Sequence, residues 1–283
     1  ATYDLKITTP DGATTLIDPM PVTLNDGDIV SVFAAGDGAN QPLGAFALPA
    51  GQVGGFVDLA AALQVAHLAP FAADPGTAVD IEIDGTQVLS GVEFADSTGY
   101  LPLSAGTDHL VEIYPAGTST VAISATVNLT HAMSYAAIAT GGANGWDLGL
   151  LLLEDDNSAP AAGMGKIRAG HLAPFAAGAA NTRADVRLQD GTVVIDDVEF
   201  GQVAGYLALP AATYDLKITT PDGSTTLIDP WKFDLGDGDI LSAFAVGDGT
   251  NQSLGVFVLP PGEPGFLLPN TERFYLPFIS RND

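Results

Sequence analysis

ATYDLKITTPDG, residues 1–12, returns unchanged as residues 212–223. The likeness continues at one constant offset: TTLIDP (14–19 and 225–230), Asp-Gly-Asp-Ile (26–29 and 237–240) and the later Gly-Asp-Gly, Leu-Gly and Leu-Pro steps all recur without a gap. Within the stretch, Tyr3, Leu5 and Ile7 alternate with Asp4, Lys6 and Thr8, the period of a strand with one buried face. Pro10-Asp11-Gly12 then supplies turn chemistry, so residues 14–24 are expected to return as the second arm of a hairpin. Further strands are expected at 29–35 and 42–48, separated by a Gly-Asp-Gly turn.

The second copy is preceded by residues 171–207, which have no counterpart before the first. Those residues do have a counterpart in the middle of the chain. HLAPFAA occurs at 67–73 and 171–177, Val-Glu-Phe at 92–94 and 198–200, and Gly-Tyr-Leu at 99–101 and 205–207. The chain therefore reads as the C-terminal half of a repeat (1–55), two complete repeats (56–158 and 159–268) and an apolar tail (269–283). Each complete repeat shows about eight short strands with turn signals between them and no helical period. That pattern predicts an all-β chain of tandem antiparallel sandwiches, each long enough to close its own core.

The order His-x-x-Pro, Val-Asp-Ile-x-Ile-Asp-Gly, Val-x-Phe, Gly-Tyr-Leu and Tyr-Asp-Leu-Lys-Ile resembles the secreted bacterial repeat family catalogued as domain of unknown function 4397. The resemblance implies immunoglobulin-like sandwiches in a surface or secreted protein, and no established activity. Where the family continues its histidine with Ala-Ser-Pro-Asp-Ala-Pro, this chain has Leu-Ala-Pro-Phe-Ala-Ala.

Composition narrows the setting. Of 283 residues, 34 are acidic and 9 basic, a formal charge of −25 that repels nucleic acid and anionic membranes. Charged residues make up only 15% of the chain, so its surface relies on Thr, Ser, Gly, Asn and Asp, a character common outside cells. The absence of cysteine excludes disulfides, thiolate zinc sites and a cysteine nucleophile. No apolar run approaches the roughly 18–20 residues of a membrane span.

Candidate chemistry is sparse. His67 and His171 invite a metal or acid–base reading, but they lie in separate repeats without an Asp or His at ligand spacing, and are expected to satisfy loop backbone. Asp26, Asp28 and Asp37, their copies Asp237, Asp239 and Asp248, and the linker pair Asp155 and Asp156 are weak calcium candidates. Asp-Gly is equally the chemistry of plain turns, and no other cofactor is implied. No nucleophile elbow, zinc-binding helix or phosphate loop occurs, so no enzyme activity is expected. Trp146 and Trp231, with Phe233, could stack on sugars or cap a core.

Four strands cut from a sandwich leave one inner face bare. At about 25 cal/mol per Å2, several hundred Å2 of exposed apolar surface cost on the order of 10 kcal/mol, comparable with a whole domain's ~5–15 kcal/mol. Tyr3, Leu5 and Ile7 are therefore expected to be covered by a preceding segment or by a neighbouring subunit. The tail residues Phe274, Tyr275, Leu276, Phe278 and Ile279 are a second assembly candidate, since an apolar strand can extend another sheet's edge. The expected function is an extracellular structural subunit of a bacterial surface filament, sheath or adhesin stalk, forming a homo-oligomer or head-to-tail polymer. The alternative is a carbohydrate- or ligand-binding surface module.

Overall fold

The computed structural model describes residues 1–3, 5–13, 15–17, 22–36, 44–57, 60–105, 108–130, 133–229 and 232–270. Nearly every regular element among them is a strand, and the one helix, Ala179–Thr182, is a single turn. The all-β sandwich class expected from the sequence is the class observed.

In the middle unit the eight expected strands form two four-stranded sheets. One runs Thr86–Val92, Val79–Ile83, Asp108–Pro115, Ile123–Asn128, and all its pairings are antiparallel. The other runs Leu101–Leu103, Ala61–His67, Ser134–Thr140, Gly149–Asp155. Alternation decides which side chains enter the core: Val79, Ile81 and Ile83 are buried while Asp80 and Glu82 are not. Asp84 and Gly85 both take positive φ (53° and 72°), the conformation of a two-residue hairpin turn. Val65, Val111, Ile113, Leu129 and Tyr135 complete the core between the sheets.

One pairing departs from a purely antiparallel plan. Ala61–His67 lies parallel to Ser134–Thr140, and in the last unit Met164–His171 lies parallel to Ile240–Val246. Parallel neighbours need a long crossover, and the strands of the opposite sheet provide it.

The last unit repeats the plan with a five-stranded sheet built on Met164–His171 and Ile240–Val246, and a four-stranded sheet built on Ala184–Leu188 and Leu216–Thr219. Tyr214, Leu216 and Ile218, expected to be buried opposite Asp215 and Lys217, are only half-buried. The strand is broken at Asp215, and Leu216 and Ile218 line an apolar space between the sheets.

At the N-terminus the repeated stretch forms the expected hairpin, with Tyr3 opposite Val22 and Ile7 opposite Ile17. Val30–Ala35, Gly44–Pro49 and Gly55–Val57 form a three-stranded sheet. Among the described residues the core of this half-repeat is Ile17 and Ala45, with Ile7 packed against them.

Candidate functional site

The two complete units meet through the outer faces of their parallel-paired sheets. Ala66, Leu68, Ala136 and Ile138 of one pack with Leu172, Phe244, Val246, Phe257 and Leu259 of the other in a single buried cluster. Gly170 lets the Phe244 ring of this cluster lie close on its own sheet, because a Cβ there would stand 2.8 Å from that ring and 2.9 Å from Val203. Gly262 (φ 75°) is needed for the same reason against the Tyr100 ring, 2.7 Å from its would-be Cβ.

Hydrogen bonds across the junction come in matched pairs. Asn144 donates to the Pro174 carbonyl and Asn251 to the Pro70 carbonyl. The Trp146 indole N–H donates to Ala176 O, and Gln252 to Ala72 O. Gln64 reaches Pro260 O, and Arg168 reaches Glu154 O. Donor loop and acceptor loop thus exchange roles between the units, the signature of an approximate two-fold axis.

One of the pairs differs in charge. Arg168, where the first unit has Gln64, donates from Nη2 to Asp155 Oδ1 at 2.6 Å and from Nε to Ser242 Oγ at 3.0 Å, with both members of the ion pair almost fully buried. Tyr100 donates to the other oxygen of Asp155 at 2.8 Å, and the Tyr206 ring lies 4.7 Å over the guanidinium. Burial, with the charge of Asp155 behind it, pushes the Tyr100 phenol far up.

This accounts for the linker carboxylates. Asp155 is spent on Arg168, and Asp156 pairs with Lys166, whose hydrogen bond is the main reason its carboxyl sits at about 2. The other calcium candidates cap turns. Asp28 accepts from Asn25 N, Asp239 from Gly236 N, Asp237 from Gly163 N, and Asp248 from Thr250, Asn251 and Gln252 N. Asp26 lies exposed in its turn, and Asp37 lies outside the described residues. Among the described residues no three His, Asp or Glu side chains come together as a metal site, and no helix is long and apolar enough to cross a membrane.

His67 and His171 do what the loop reading expects. Nε2–H donates to Thr77 O (2.9 Å) and Thr182 O (2.6 Å), while Nδ1 accepts from Ala69 N and Ala173 N. Burial holds both rings below the ordinary imidazole value of 6.5, with the Thr77 and Thr182 carbonyls working against it. The unfolded chain therefore takes up these protons first as pH falls. The stability held in the two neutral rings is complete above pH 6.5 and is lost below it. His109 runs the other way: burial opposes its charge, but Asp84 and the Ser104 carbonyl outweigh burial and raise it, so its contribution is lost as pH rises. Urea midpoints are expected to fall from pH 7.5 to pH 5, and to fall less in H67Q/H171Q. Equal slopes in parent and variant would contradict this account. His131 lies outside the described residues.

Trp146 is half-buried in the junction, its ring 4.5 Å from Phe200 and its N–H donated to Ala176 O. Trp231 lies outside the described residues, while Phe233 stacks on Tyr214 at 5.7 Å. Of the assembly candidates, Tyr3 is 47% and Leu5 48% exposed, and Ile7 packs inside the half-repeat. Phe274, Tyr275, Leu276, Phe278 and Ile279 lie outside the described residues.

Residues the sequence reading passed over prove more telling. Phe33 and Leu48 occupy in the half-repeat the positions of Phe244 and Leu259. They are 53% and 42% exposed, against 0% and 2% for their copies in the junction. Aligning the copies and asking which apolar residues belong to neither strand's core face would have found them.

Tandem β-sandwiches joined face to face define the class, and the family follows from the sequence. The chain belongs to the family described as Domain of unknown function (DUF4397), whose model matches residues 61–181 and 175–263. No curated protein matches. Among solved structures, the chain is similar to a family 26 carbohydrate-binding module of Eubacterium rectale Amy13K in complex with maltoheptaose. Identity is 12%, coverage 71% of this chain and 98% of the module, and the TM-score 0.22. It is also similar to the Bacillus anthracis TIE protein, with 12% identity, coverage of 86% and 51%, and a TM-score of 0.21. Superpositions this loose carry no argument about ligand or assembly.

Proposed function

We propose that the protein is an extracellular structural component, a run of sandwich repeats that self-associates as the subunit of a bacterial surface filament, sheath or adhesin stalk. The observation that carries this reading is the bare outer face of the half-repeat. Phe33 and Leu48 are open to solvent, whereas the same residues of the second copy are enclosed by the middle repeat together with Gly170 and Val203 of their own repeat. A contiguous apolar face of this kind marks an interaction surface. The junction inside the chain supplies the template, since this face already binds its like. The acidic, lightly charged composition agrees with an extracellular setting.

Light scattering on the full chain tests the proposal. The parent is expected to form dimers or larger species, and F33D/L48D to be monomeric with an unchanged circular dichroism spectrum. Deleting residues 273–283 separately tests whether the apolar tail adds to assembly. A parent that stays monomeric, also by electron microscopy, would rule the reading out.

A further inference from the structure

Between the sheets of the last unit lies an apolar space of about 510 Å3, within the range of roughly 300–1,000 Å3 typical of small-molecule sites. The middle unit has a packed core in the same place. Strand registers make the comparison residue by residue. Val65 and Ala169 both stand two residues before the matched histidine. Val79 and Ala184 pair with Val92 and Val198 of the repeated Val-Glu-Phe. Ile81 corresponds to Val186, and Leu150 and Leu152 to Val256 and Val258.

At each of these positions the last unit carries the smaller residue, two carbon atoms fewer at each alanine and one fewer at each valine. All of the larger residues belong to the middle unit's core cluster, and all of the smaller ones line the space. Leu216 and Phe233, larger than the Val111 and Val127 they replace, line the space without closing it, the Phe233 ring being stacked on Tyr214. The wall strand also differs. Asp108–Pro115 is continuous in the middle unit, whereas its counterpart is split into Ala212–Tyr214 and Leu216–Thr219, and the first piece pairs only with Phe233–Leu235.

Interiors otherwise pack to the density of organic crystals, so a coordinated trimming across both sheets is a feature of the unit. The polar side chains on the lining already have partners: His171 Nε2 donates to Thr182 O, Tyr206 Oη faces Ser242 Oγ at 3.3 Å, and Lys217 Nζ donates to Gln189 O. The occupant such a wall accepts has no polar demands of its own. An engineered apolar cavity of about 150 Å3 already takes up benzene, and this one is larger.

We propose that the last unit binds an aliphatic hydrocarbon chain between its two sheets. This goes beyond the assembly reading and does not depend on it, because the site lies inside the sandwich and Phe33 and Leu48 lie elsewhere.

The test is a fluorescence titration of the full chain with cis-parinaric acid. Saturable binding at one site per chain is expected. The variant A169V/A184V/V186I/V256L/V258L, which restores the middle unit's residues, should bind about tenfold or more weakly and melt no lower than the parent. If that variant does not fold, A184V and V256L alone should each weaken binding by a measurable factor. No saturable binding by the parent overturns the proposal. So does undiminished binding by the filled variants, or loss of binding in F33D/L48D, which would place the probe on the outer face. Co-sedimentation with dioleoylphosphatidylcholine vesicles then identifies the natural carrier of the chain: a glycerolipid if the parent sediments and the filled variant does not, a free acid if neither does.

Discussion

Replacing Arg168 with alanine is expected to cost about 3–5 kcal/mol, because it strands the buried Asp155 carboxylate without its counter-charge. The guanidinium ties Asp155 and the Glu154 carbonyl of the middle unit to Ser242 of the last, at 2.6, 2.8 and 3.0 Å. Its removal therefore unfastens the junction along with the ion pair. R168M/D155N should recover most of the loss, since the amide still accepts from Tyr100 and no buried charge remains. Urea denaturation of R168M, D155N and R168M/D155N gives the coupling directly. A loss below about 1 kcal/mol in R168A would mean that water reaches Asp155 and that the junction is looser than described.

The second large effect is a contrast between identical residues in duplicated sequence. Phe244 is fully enclosed between the complete units, and F244A should cost about 3–5 kcal/mol through lost burial and the cavity left behind. Phe33, its copy, is 53% exposed, and F33A, measured in dilute monomeric protein, should fall within about 0.5 kcal/mol of the parent. Equal costs, measured by thermal unfolding at low concentration, would show that the half-repeat's outer face is covered in the monomer.

The strands, the hairpin at Asp11-Gly12 and the repeat family were readable because they rest on alternation, turn chemistry and self-similarity, all local in the sequence. The junction was not. Gln64 meets Pro260 and Glu263, and Asn251 meets Pro70, across separations that no periodicity encodes. The linker misled in a specific way: Asp155 and Asp156 look like free calcium ligands until their cations are found at Arg168 and Lys166. A signal was available, since only 9 basic residues occur in the chain and two of them follow that linker closely. Alternation also overstated the burial of Tyr214, Leu216 and Ile218. A period reports which face a side chain takes, whereas burial depends on what stands opposite, and there the facing residues of the other sheet have been cut back to Ala169, Val256 and Val258.

The two-fold character of the junction limits how such a chain can grow. A self-complementary face is used up once it has met its like, so a joint of this kind closes and does not propagate. Repeats linked through it come in couples. A long array, whether within one polypeptide or between copies meeting at Phe33 and Leu48, must therefore alternate this closed joint with a second, dissimilar one. The natural period seen along its length would then be two repeats, with the bending concentrated at every other boundary.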